Sequence, residues 1–329
     1  MKIGTIGSNF IVDRFINATR LVEGVEIVAA YSRSEEKAKA FAEKHNIKKT
    51  YTNLQEMMND AEIDTIYVAS PNSLHYEQTL LALNNGKHVI NEKPFTSTLE
   101  EFDHLASVAK EKKLLLWEAI TNIYTPNLNI MKDNLDKVGK VAIVVSNYSQ
   151  YSSRHQAYLN GEKPNIFMTE FSGGSLMDIN LYNVHLVSYL FGKPNDVKYY
   201  ANKGPNGIDT SGVMIFTYDD FVATLIGAKD SSSRSFASVQ GDKGSLLVDN
   251  CSMGIIDNVS FLSHKGEKTN IGVVQNEQHM VYEVEAFQKM FEENDLTQCY
   301  EKLDYSRGIV EVMEKARKEA GIYFDADKK

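Results

Sequence analysis

The chain has 329 residues, of which 24% are charged, and a formal net charge of -9 at pH 7. Hydrophobic residues make up 43% of the sequence, enough to bury a large core, which excludes disordered and fibrous classes. No long basic stretch offsets the excess of acids, which argues against nucleic acid and anionic membranes as partners. We therefore expect a small-molecule ligand and a chain of two domains.

The two cysteines and the amino-terminal sequence bear on the compartment. Cys251 and Cys299 are far apart and form no metal-type or redox-type spacing, which predicts free thiols, a reducing environment and no structural metal site. Residues 3–12 are apolar but broken by glycine and polar residues, and no stretch approaches the roughly 20 apolar residues of a membrane helix. The sequence predicts a soluble, cytoplasmic protein.

The first 120 residues alternate between strand and helix patterns. The predicted strands are 2–6, 25–31, 65–69, 89–91 and 114–117. The predicted helices are 12–21, 34–44, 75–85 and 99–112. Such alternation builds a doubly wound parallel sheet of the α/β class, so we assign residues 1–121 to a first domain.

The second half of the chain has the pattern of an antiparallel sheet. Strand-like runs with turn residues between them occur at 141–149, 197–201, 212–218, 221–228, 236–240 and 245–249. Helices are predicted at 277–293 and 305–320. Residues 122–329 are therefore predicted to form an α+β domain with a large, open, mostly antiparallel sheet. Whether the last helix packs back on the first domain is left open.

A glycine-containing loop joins the first strand to the first helix. In Gly4-Thr5-Ile6-Gly7-Ser8-Asn9-Phe10, backbone N–H groups and the helix amino end could receive a dinucleotide's pyrophosphate. Gly7, Ser8, Asn9 and Phe10 are the candidate contacts. The motif is incomplete, because Asn9 stands where the second glycine of G-x-G-x-x-G is expected. The alternative is an ordinary turn of an α/β protein.

The end of the second strand indicates which dinucleotide is bound. No Asp or Glu follows this strand directly to bind an adenosine ribose, whereas Ser32, Arg33 and Lys37 could bind a 2'-phosphate. This favours NADP over NAD. We interpret Glu35 as a helix cap, because Ser32-x-x-Glu35 has capping-box spacing. A solvated surface arginine is the alternative for Arg33.

Two further strand ends carry polar residues. Ser70, Pro71, Asn72 and His75 follow the strand at 65–69 and could contact the nicotinamide ribose, although Asn72 or Ser73 could instead cap the next helix. A second set of polar residues follows the strand at 89–91.

That second set is Glu92-Lys93-Pro94. The carboxyl ends of parallel strands are where such sheets bind ligands, so Lys93 can place an ammonium beside a cofactor or substrate. Glu92 is a further candidate for cofactor binding. A strand-end lysine that is merely solvated is the alternative.

A helix in the second half carries ionisable residues on one face. Asp178, Tyr182, His185 and Tyr189 recur at spacings of four, three and four. Gly173-Gly174 before them would let the backbone approach a ligand closely. The structural alternative places the tyrosines in a core and makes Asp178 a helix cap.

These motifs together resemble the glucose-fructose oxidoreductase, inositol dehydrogenase and rhizopine-catabolism (Gfo/Idh/MocA) family over nearly the whole chain. The matching segments are Gly4 to Gly7, Ser32-Arg33, Ser70 to Asn72 with His75, Glu92 to Pro94, and 173–182. Tyr182, where many relatives have histidine, is closest in pattern to the dihydrodiol dehydrogenase and glucose-fructose oxidoreductase branch. The resemblance implies a Rossmann-type first domain and a catalytic Lys93 and Tyr182.

The sequence also departs from the family pattern. Asn9 and Val12 weaken the phosphate loop, Asn180 replaces a usual glycine, and Ile123 replaces a common arginine. The last change predicts altered substrate contacts.

A segment between the first strand of the second domain and Gly173 offers low-specificity candidates for substrate recognition. These are Arg154, His155 and Tyr158. A surface loop that happens to carry an arginine is an equal alternative.

The leading hypothesis is an NADP-dependent oxidoreductase acting on a sugar, polyol, or small diol or dicarbonyl. Tyr182 would exchange the proton, the Lys93 ammonium would favour its phenolate, Asp178 would orient one of them, and His185 would be a second orienter or proton donor. The alternatives are a dinucleotide-binding regulatory or redox-sensing module, and an enzyme that keeps its dinucleotide bound between two substrates. An exposed sheet face predicts a homodimer or homotetramer.

Overall fold

Alternating strands and helices build a parallel sheet in the first part of the chain. The computed structural model describes residues 1–249 and 252–328, so that Cys251 lies outside the described residues. The strands are β1 Lys2–Ile6, β2 Glu26–Tyr31, β3 Lys49–Tyr51, β4 Thr65–Val68, β5 His88–Glu92 and β6 Leu116–Ala119. The helices are α1 Phe10–Thr19, α2 Glu35–His45, α3 Leu54–Met58, α4 His75–Asn84 and α5 Leu99–Lys112.

The strand order in this sheet is β3-β2-β1-β4-β5-β6, and every neighbouring pair is parallel. The chain reverses its direction of winding between β1 and β4. In open α/β sheets the crevice for ligands lies outside the carboxyl ends of the strands at this reversal. The loops after β1, β4 and β5 therefore carry the candidate cofactor residues.

The second part of the chain forms an eight-stranded sheet. Its strands are β7 Val141–Ser149, β8 Asp196–Lys203, β9 Asp209–Thr217, β10 Val222–Ala228, β11 Phe236–Gly241, β12 Gly244–Asp249, β13 Asn258–Ser263 and β14 Lys268–Asn270. Its helices are α6 Pro126–Asp133, α7 His155–Leu159 and α8 Leu181–Phe191. The order is β14-β13-β12-β11-β7-β10-β9-β8. All pairs are antiparallel except β7 and β10, which confirms the predicted mostly antiparallel sheet.

The last two helices are α9 Val281–Glu293 and α10 Leu296–Glu319. The chain divides into two compact units: Met1–Ala119 with Asn276–Arg307, and Ile120–Gln275 with the residues from Gly308 onward. The first unit thus contains α9 and the beginning of α10 in addition to the segment predicted from the sequence. Cys299 is a free, buried thiol whose sulfur lies 3.4 Å from the Leu116 backbone nitrogen, within the first unit.

One turn of π-helix, Leu176–Asn180, leads directly into α8. Buried amides below it hold it to the sheet: Asn180 donates to the Leu225 carbonyl at 3.3 Å, and Asn183 donates to the Ile226 carbonyl at 2.8 Å. A Cβ on Gly227 would lie 2.5 Å from the Cβ of Asn180, so the helix can pack this closely only against a glycine. Asn180, which departs from the family pattern, is therefore a packing residue of this helix.

Two negative observations concern the described residues only. Within 1–249 and 252–328, no helix combines the length and apolar character that crossing a membrane requires. In the same residues, no group of three or more His, Cys, Asp or Glu side chains is placed to hold a metal ion.

Candidate active site

The loop after β1 turns at a glycine that leaves no space for a side chain. Gly7 has a φ of 122°, and a Cβ there would lie 2.5 Å from the Ala69 carbonyl oxygen, so the position requires glycine. Asn9 caps α1: its Oδ1 accepts from the N–H groups of Ile11 at 3.1 Å and Val12 at 3.4 Å. The Asn9 side chain thus takes two helix-end donors that a glycine would have left open.

The rest of this loop faces solvent. Ser8 and Asn9 are exposed, and Phe10 is 70% exposed with the Arg14 guanidinium 5.7 Å from its ring centroid. The backbone N–H groups of Ser8 and Asn9 donate to no backbone carbonyl within the described part of the chain. These donors are available to a ligand at the amino end of α1.

The loop after β2 corrects one prediction. Ser34, not Ser32, caps α2, since its Oγ accepts from the Lys37 N–H at 3.4 Å. Glu35 forms an exposed ion pair with Lys39 at 2.6 Å, so its interpretation as a capping acid was wrong. The sequence offered serines at both positions, and the one next to the first helical residue serves as the cap.

Arg33 is exposed and makes no side-chain hydrogen bond or ion pair to any described residue. Lys37 and Ser32 lie in the same turn, with Lys37 exposed and Ser32 half-buried. The Ser32 Oγ accepts from the Ser34 N–H at 3.4 Å. The fold therefore leaves the Arg33 guanidinium free to pair with a phosphate group.

His75 connects the loops after β4 and β5. It is buried, with Nε2 3.0 Å from the Ser70 carbonyl oxygen and Nδ1 2.9 Å from the Pro94 carbonyl oxygen. Burial lowers the pKa of His75, opposed by these backbone contacts. A neutral imidazole carries one N–H, so it donates to only one of the two carbonyls. His75 thus contacts both loops and hydrogen-bonds to one of them, which gives it a supporting position near the predicted cofactor site.

The Ser70-Pro71-Asn72 segment ends β4 in a 3-10 turn, Asn72–Leu74. The alternative that Asn72 or Ser73 caps the next helix is not observed, since neither the turn nor α4 has a side-chain cap. The Ser70 Oγ is buried and has no hydrogen-bond partner among the described residues. A buried hydroxyl without a partner at a strand's carboxyl end is consistent with a ligand contact.

Glu92 and Lys93 end β5 as predicted. Glu92 is buried, accepts from the Tyr67 hydroxyl at 2.6 Å, and accepts from the Lys93 backbone N–H at 3.2 Å. Burial raises the pKa of Glu92 to about 7, against the opposing effects of the Tyr67 hydrogen bond and the Lys93 charge. Lys93 is half-buried, and the Lys93-Pro94 peptide bond is cis.

The start of the second-unit helix is held by a carboxylate that the sequence did not reveal. Asp209 is buried and accepts from the Leu176 N–H at 2.6 Å and from the Tyr199 hydroxyl at 2.8 Å. Burial raises the pKa of Asp209, opposed by these hydrogen bonds. Gly174 has a φ of 106° and lies against the Asp209 carboxylate, where a Cβ would collide. Asp209 therefore fixes the register of the helix that carries Asp178 and Tyr182.

Asp178 pairs with Lys229, the residue that directly follows β10. Tyr182 is half-buried in the first turn of α8, with its ring centroid 5.9 Å from that of Tyr148 on β7. Lys229 was not among the predicted site residues. A lysine directly after an apolar strand is the signal that had singled out Lys93, and the same reasoning applied to 222–228 would have found it.

The residues of the predicted ionisable face differ in exposure. His185 is 0% exposed, whereas Tyr182, three residues before it on α8, is half-buried. Tyr189 donates its hydroxyl to Asn129 at 2.5 Å, and the Lys132 ammonium lies 4.4 Å from its ring centroid. Tyr189 therefore packs against α6, and the turn of π-helix changes the angular position of Asp178 relative to the residues after it.

The three candidate residues for substrate recognition differ in exposure. Arg154 is exposed, whereas His155 and Tyr158 are buried in an aromatic cluster with Phe167. The Tyr158 hydroxyl donates to the Asn206 side chain at 2.6 Å. Packing and this hydrogen bond explain the position of Tyr158, whereas the Nδ1 atom of His155 is buried without a hydrogen-bond partner among the described residues.

The comparisons with known proteins agree with this architecture. The family model "Oxidoreductase family, NAD-binding Rossmann fold" matches residues 1–120, and "GFO/IDH/MocA C-terminal domain" matches residues 134–247. The chain is 38% identical over 327 residues, 99% of each protein, to scyllo-inositol 2-dehydrogenase (NADP(+)) IolU of Bacillus subtilis (strain 168). It is 25% identical over 347 residues, 100% of this chain and 99% of the relative, to trans-1,2-dihydrobenzene-1,2-diol dehydrogenase of Sus scrofa.

A solved structure shares the fold. KijD10, a 3-ketoreductase from Actinomadura kijaniata in complex with NADP and TDP-benzene, has a TM-score of 0.85 at 21% identity, covering 98% of this chain and 99% of that chain. The chain therefore belongs to the Gfo/Idh/MocA family of oxidoreductases. The resemblance drawn from the motifs is confirmed, and with it the fold class and the prediction of an oxidoreductase.

Proposed function

We propose that the chain is an NADP-dependent oxidoreductase that interconverts a secondary alcohol and a carbonyl on a polyol, sugar or small diol. The 38% identity to an NADP(+)-dependent scyllo-inositol 2-dehydrogenase over 99% of both chains is the observation that carries this proposal. The dihydrodiol dehydrogenase of Sus scrofa extends the range of alcohols to cyclic diols. A small neutral molecule with vicinal hydroxyl groups is therefore the substrate that we propose.

The first unit fits the dinucleotide. Gly7 lets the loop pass close to the Ala69 carbonyl, the Ser8 and Asn9 N–H groups are available for phosphate, and the Ser70 hydroxyl is buried without a partner among the described residues. In the proposal Phe10, Pro71 and Asn72 line the same crevice, with Glu92 and His75 supporting Lys93 and the loop. The exposed Arg33, with Ser32 and Lys37, would bind the 2'-phosphate of NADP in preference to NAD.

The cofactor's part is to take or give the hydride. In the oxidation direction, the Tyr182 oxygen would take the hydroxyl proton and the C–H hydride would pass to the oxidised dinucleotide, so that the alcohol becomes a carbonyl. A phenol titrates near 10, and the positive charge of Lys93 would favour its phenolate near neutrality. Asp178, ion-paired to Lys229, would hold the substrate or the phenol in place, and the buried His185 would support α8.

The alternative is a regulatory dinucleotide-binding module without turnover, against which the presence of Lys93, Asp178 and Tyr182 in the sequence argues. Retention of the dinucleotide through purification remains a separate hypothesis. It is tested by the absorbance of the reduced nicotinamide band in the isolated protein. The cytoplasmic location stays a prediction.

The decisive experiment is Tyr182→Phe. We expect turnover of scyllo-inositol with NADP+ to fall by roughly a hundredfold or more, the usual contribution of one acid-base group, while NADPH affinity is unchanged. Steady-state kinetics and a fluorescence titration measure the two. Tyr189→Phe is the matched control, because it removes a tyrosine hydroxyl from the same helix that already has a protein partner, Asn129. Unchanged turnover in Tyr182→Phe would move the proton-transfer role to His185.

A further inference from the structure

Lys229 occupies a position that resembles that of Lys93 in the other sheet. It directly follows β10, and β10 runs parallel to β7, so that Ala228 pairs with Ser149 at the carboxyl end of both strands. The backbone of Lys229 is fixed on both sides: its N–H donates to the Thr210 carbonyl at 2.8 Å, and its carbonyl accepts from the Ser152 N–H at 2.9 Å. The direction of this side chain is therefore set by the sheet and not by a flexible loop.

The side chain of Lys229 is buried, and its ammonium has more hydrogen-bond donors than protein acceptors. The residue is 8% exposed, and the only side-chain hydrogen bond of its ammonium to a described residue goes to Asp178. A lysine ammonium has three N–H donors, so two remain without a protein acceptor. The Lys229 ammonium is thus anchored by one carboxylate and keeps donors that a ligand hydroxyl could use.

The surroundings place Lys229 in the region of Tyr182. Gly227, two residues before it, pairs with Tyr148, whose ring lies 5.9 Å from the Tyr182 ring. Asp178, its ion-pair partner, lies one helical turn before Tyr182 on the same continuous helical segment. The donor, the acceptor and the proposed proton-transfer residue thus belong to one unit and one part of its surface.

We propose that Lys229 is a substrate-binding residue that donates a hydrogen bond to a hydroxyl next to the reacting carbon, while Asp178 accepts from a neighbouring hydroxyl. This inference rests on the proposed function and deepens it. The Asp178 carboxylate balances the Lys229 charge, and the next residue, Asp230, adds a carboxylate that Thr210 and Ser211 hold at 2.7 and 2.8 Å. The local charge is therefore not positive, so the site selects neutral vicinal diols over carboxylates and phosphates.

The test compares scyllo-inositol with an analogue that lacks one hydroxyl beside the oxidised carbon, using NADP+ and the wild type and Lys229→Met. A site built to bond a hydroxyl rejects the analogue strongly, because its buried polar groups are left unpaired. We expect the wild type to prefer scyllo-inositol by about 100-fold or more in kcat/KM, and Lys229→Met to reduce this preference to within about threefold, with NADPH affinity unchanged.

Lys140→Met is the matched control. Lys140 also pairs with an aspartate, Asp220 at 3.2 Å, but it directly precedes β7 and so lies at the opposite end of the parallel pair. The control should leave both substrates unaffected. An equal loss for both substrates in Lys229→Met would show a purely structural role and overturn the inference, whereas the proposed function would stand.

A second measurement needs no variant. The wild type should oxidise scyllo-inositol at least tenfold better, in kcat/KM, than a ring polyol of similar size that carries a carboxylate. A preference for the carboxylate would overturn the inference even if Lys229→Met fails to fold. Failure of the wild type to oxidise any neutral polyol would overturn the proposed function together with the inference, so the two failures are distinguishable.

Discussion

Glu92 shows how one buried residue can make this protein sensitive to pH. Its carboxyl group is buried beside the Tyr67 hydroxyl, the Lys93 backbone N–H and the Glu118 carboxyl group, and burial raises its pKa from 4.5 to about 7. The Tyr67 ring in turn stacks on Phe15 of α1 with 3.8 Å between ring centroids. The protonation of Glu92 therefore acts on a side chain that also packs against the helix of the phosphate-binding loop.

The sign of the effect on stability follows from the direction of this shift. The folded protein holds the Glu92 proton between pH 4.5 and about 7, whereas the unfolded chain has released it, so stability falls as the pH rises through this window. At 1.36 kcal/mol per unit the contribution is roughly 3 kcal/mol. Glu92→Gln lacks this pH-dependent contribution. Between pH 5 and pH 8 we therefore expect the unfolding free energy of the wild type to fall relative to that of the variant.

Urea unfolding at the two pH values measures this difference. Glu36→Gln on α2 is the control, since it removes an exposed carboxyl group of the same type. A difference that is the same at pH 5 and pH 8 for Glu92→Gln would contradict the assignment.

Arg33 is expected to set the preference for NADPH over NADH. Charge-assisted hydrogen bonds contribute about 1.5–3 kcal/mol, so Arg33→Ala should weaken NADPH binding by roughly 10- to 100-fold while NADH binding stays within about twofold. Titration with each reduced dinucleotide, followed by nicotinamide fluorescence, gives both affinities. Lys39→Ala removes a neighbouring exposed cation that already pairs with Glu35 and should change neither. An equal loss of both affinities would remove Arg33 from the 2'-phosphate site.

At the scale of elements, strands and helices with a strong pattern in their own residues were predicted, and those without one were missed. The buried runs of β1, β4 and β5 were predicted within about two residues, because burial on both faces leaves a continuous apolar pattern. β3 was missed because it has only three half-buried residues, Lys49–Tyr51. α6 was not predicted either, although it begins at Pro126, and the first position of a helix is one where proline is favoured.

α10 is longer than the sequence predicted. It runs without interruption from Leu296 to Glu319, whereas the prediction started it at residue 305. Gly308 lies within both the predicted and the observed helix, so this glycine does not interrupt it. The missed residues are those before 305.

The candidate site was predictable only in its individual residues. Lys93, Asp178 and Tyr182 follow from strand ends and helix spacing, but their partners are distant in sequence. Lys229 is 51 residues from Asp178, and Asp209 is 33 residues from Leu176. The turn of π-helix, which contains Asp178 and ends before Tyr182, has no local sequence signal of the kind used for the prediction.

At the scale of the whole molecule, one face of the second sheet is half-exposed and apolar. Val145, Thr224 and Ile215 lie side by side on β7, β10 and β9, and all three are half-buried. Their neighbours along the strands, Ser146 and Leu225, are fully buried. We propose that a second copy of the chain covers this face, which would make the protein a homodimer or homotetramer.

Ile215→Glu tests this proposal. A charge in the middle of the covered face should convert the wild-type oligomer into a 37.0 kDa monomer, which sedimentation or light scattering measures directly. Leu159→Glu is the control, because Leu159 is an exposed apolar residue on α7 and not on the sheet. A monomeric wild type, or an oligomer that persists in Ile215→Glu, would rule out this face.

The separate roles of two neighbouring residues in the loop after β2 have an evolutionary consequence. Ser34 alone starts α2, and Arg33 takes no part in holding the fold. If Arg33 binds the 2'-phosphate as proposed, a lineage could replace it by an acid and exchange one dinucleotide for the other without losing the helix. Cofactor preference at this position would then be free to change faster than the architecture around it.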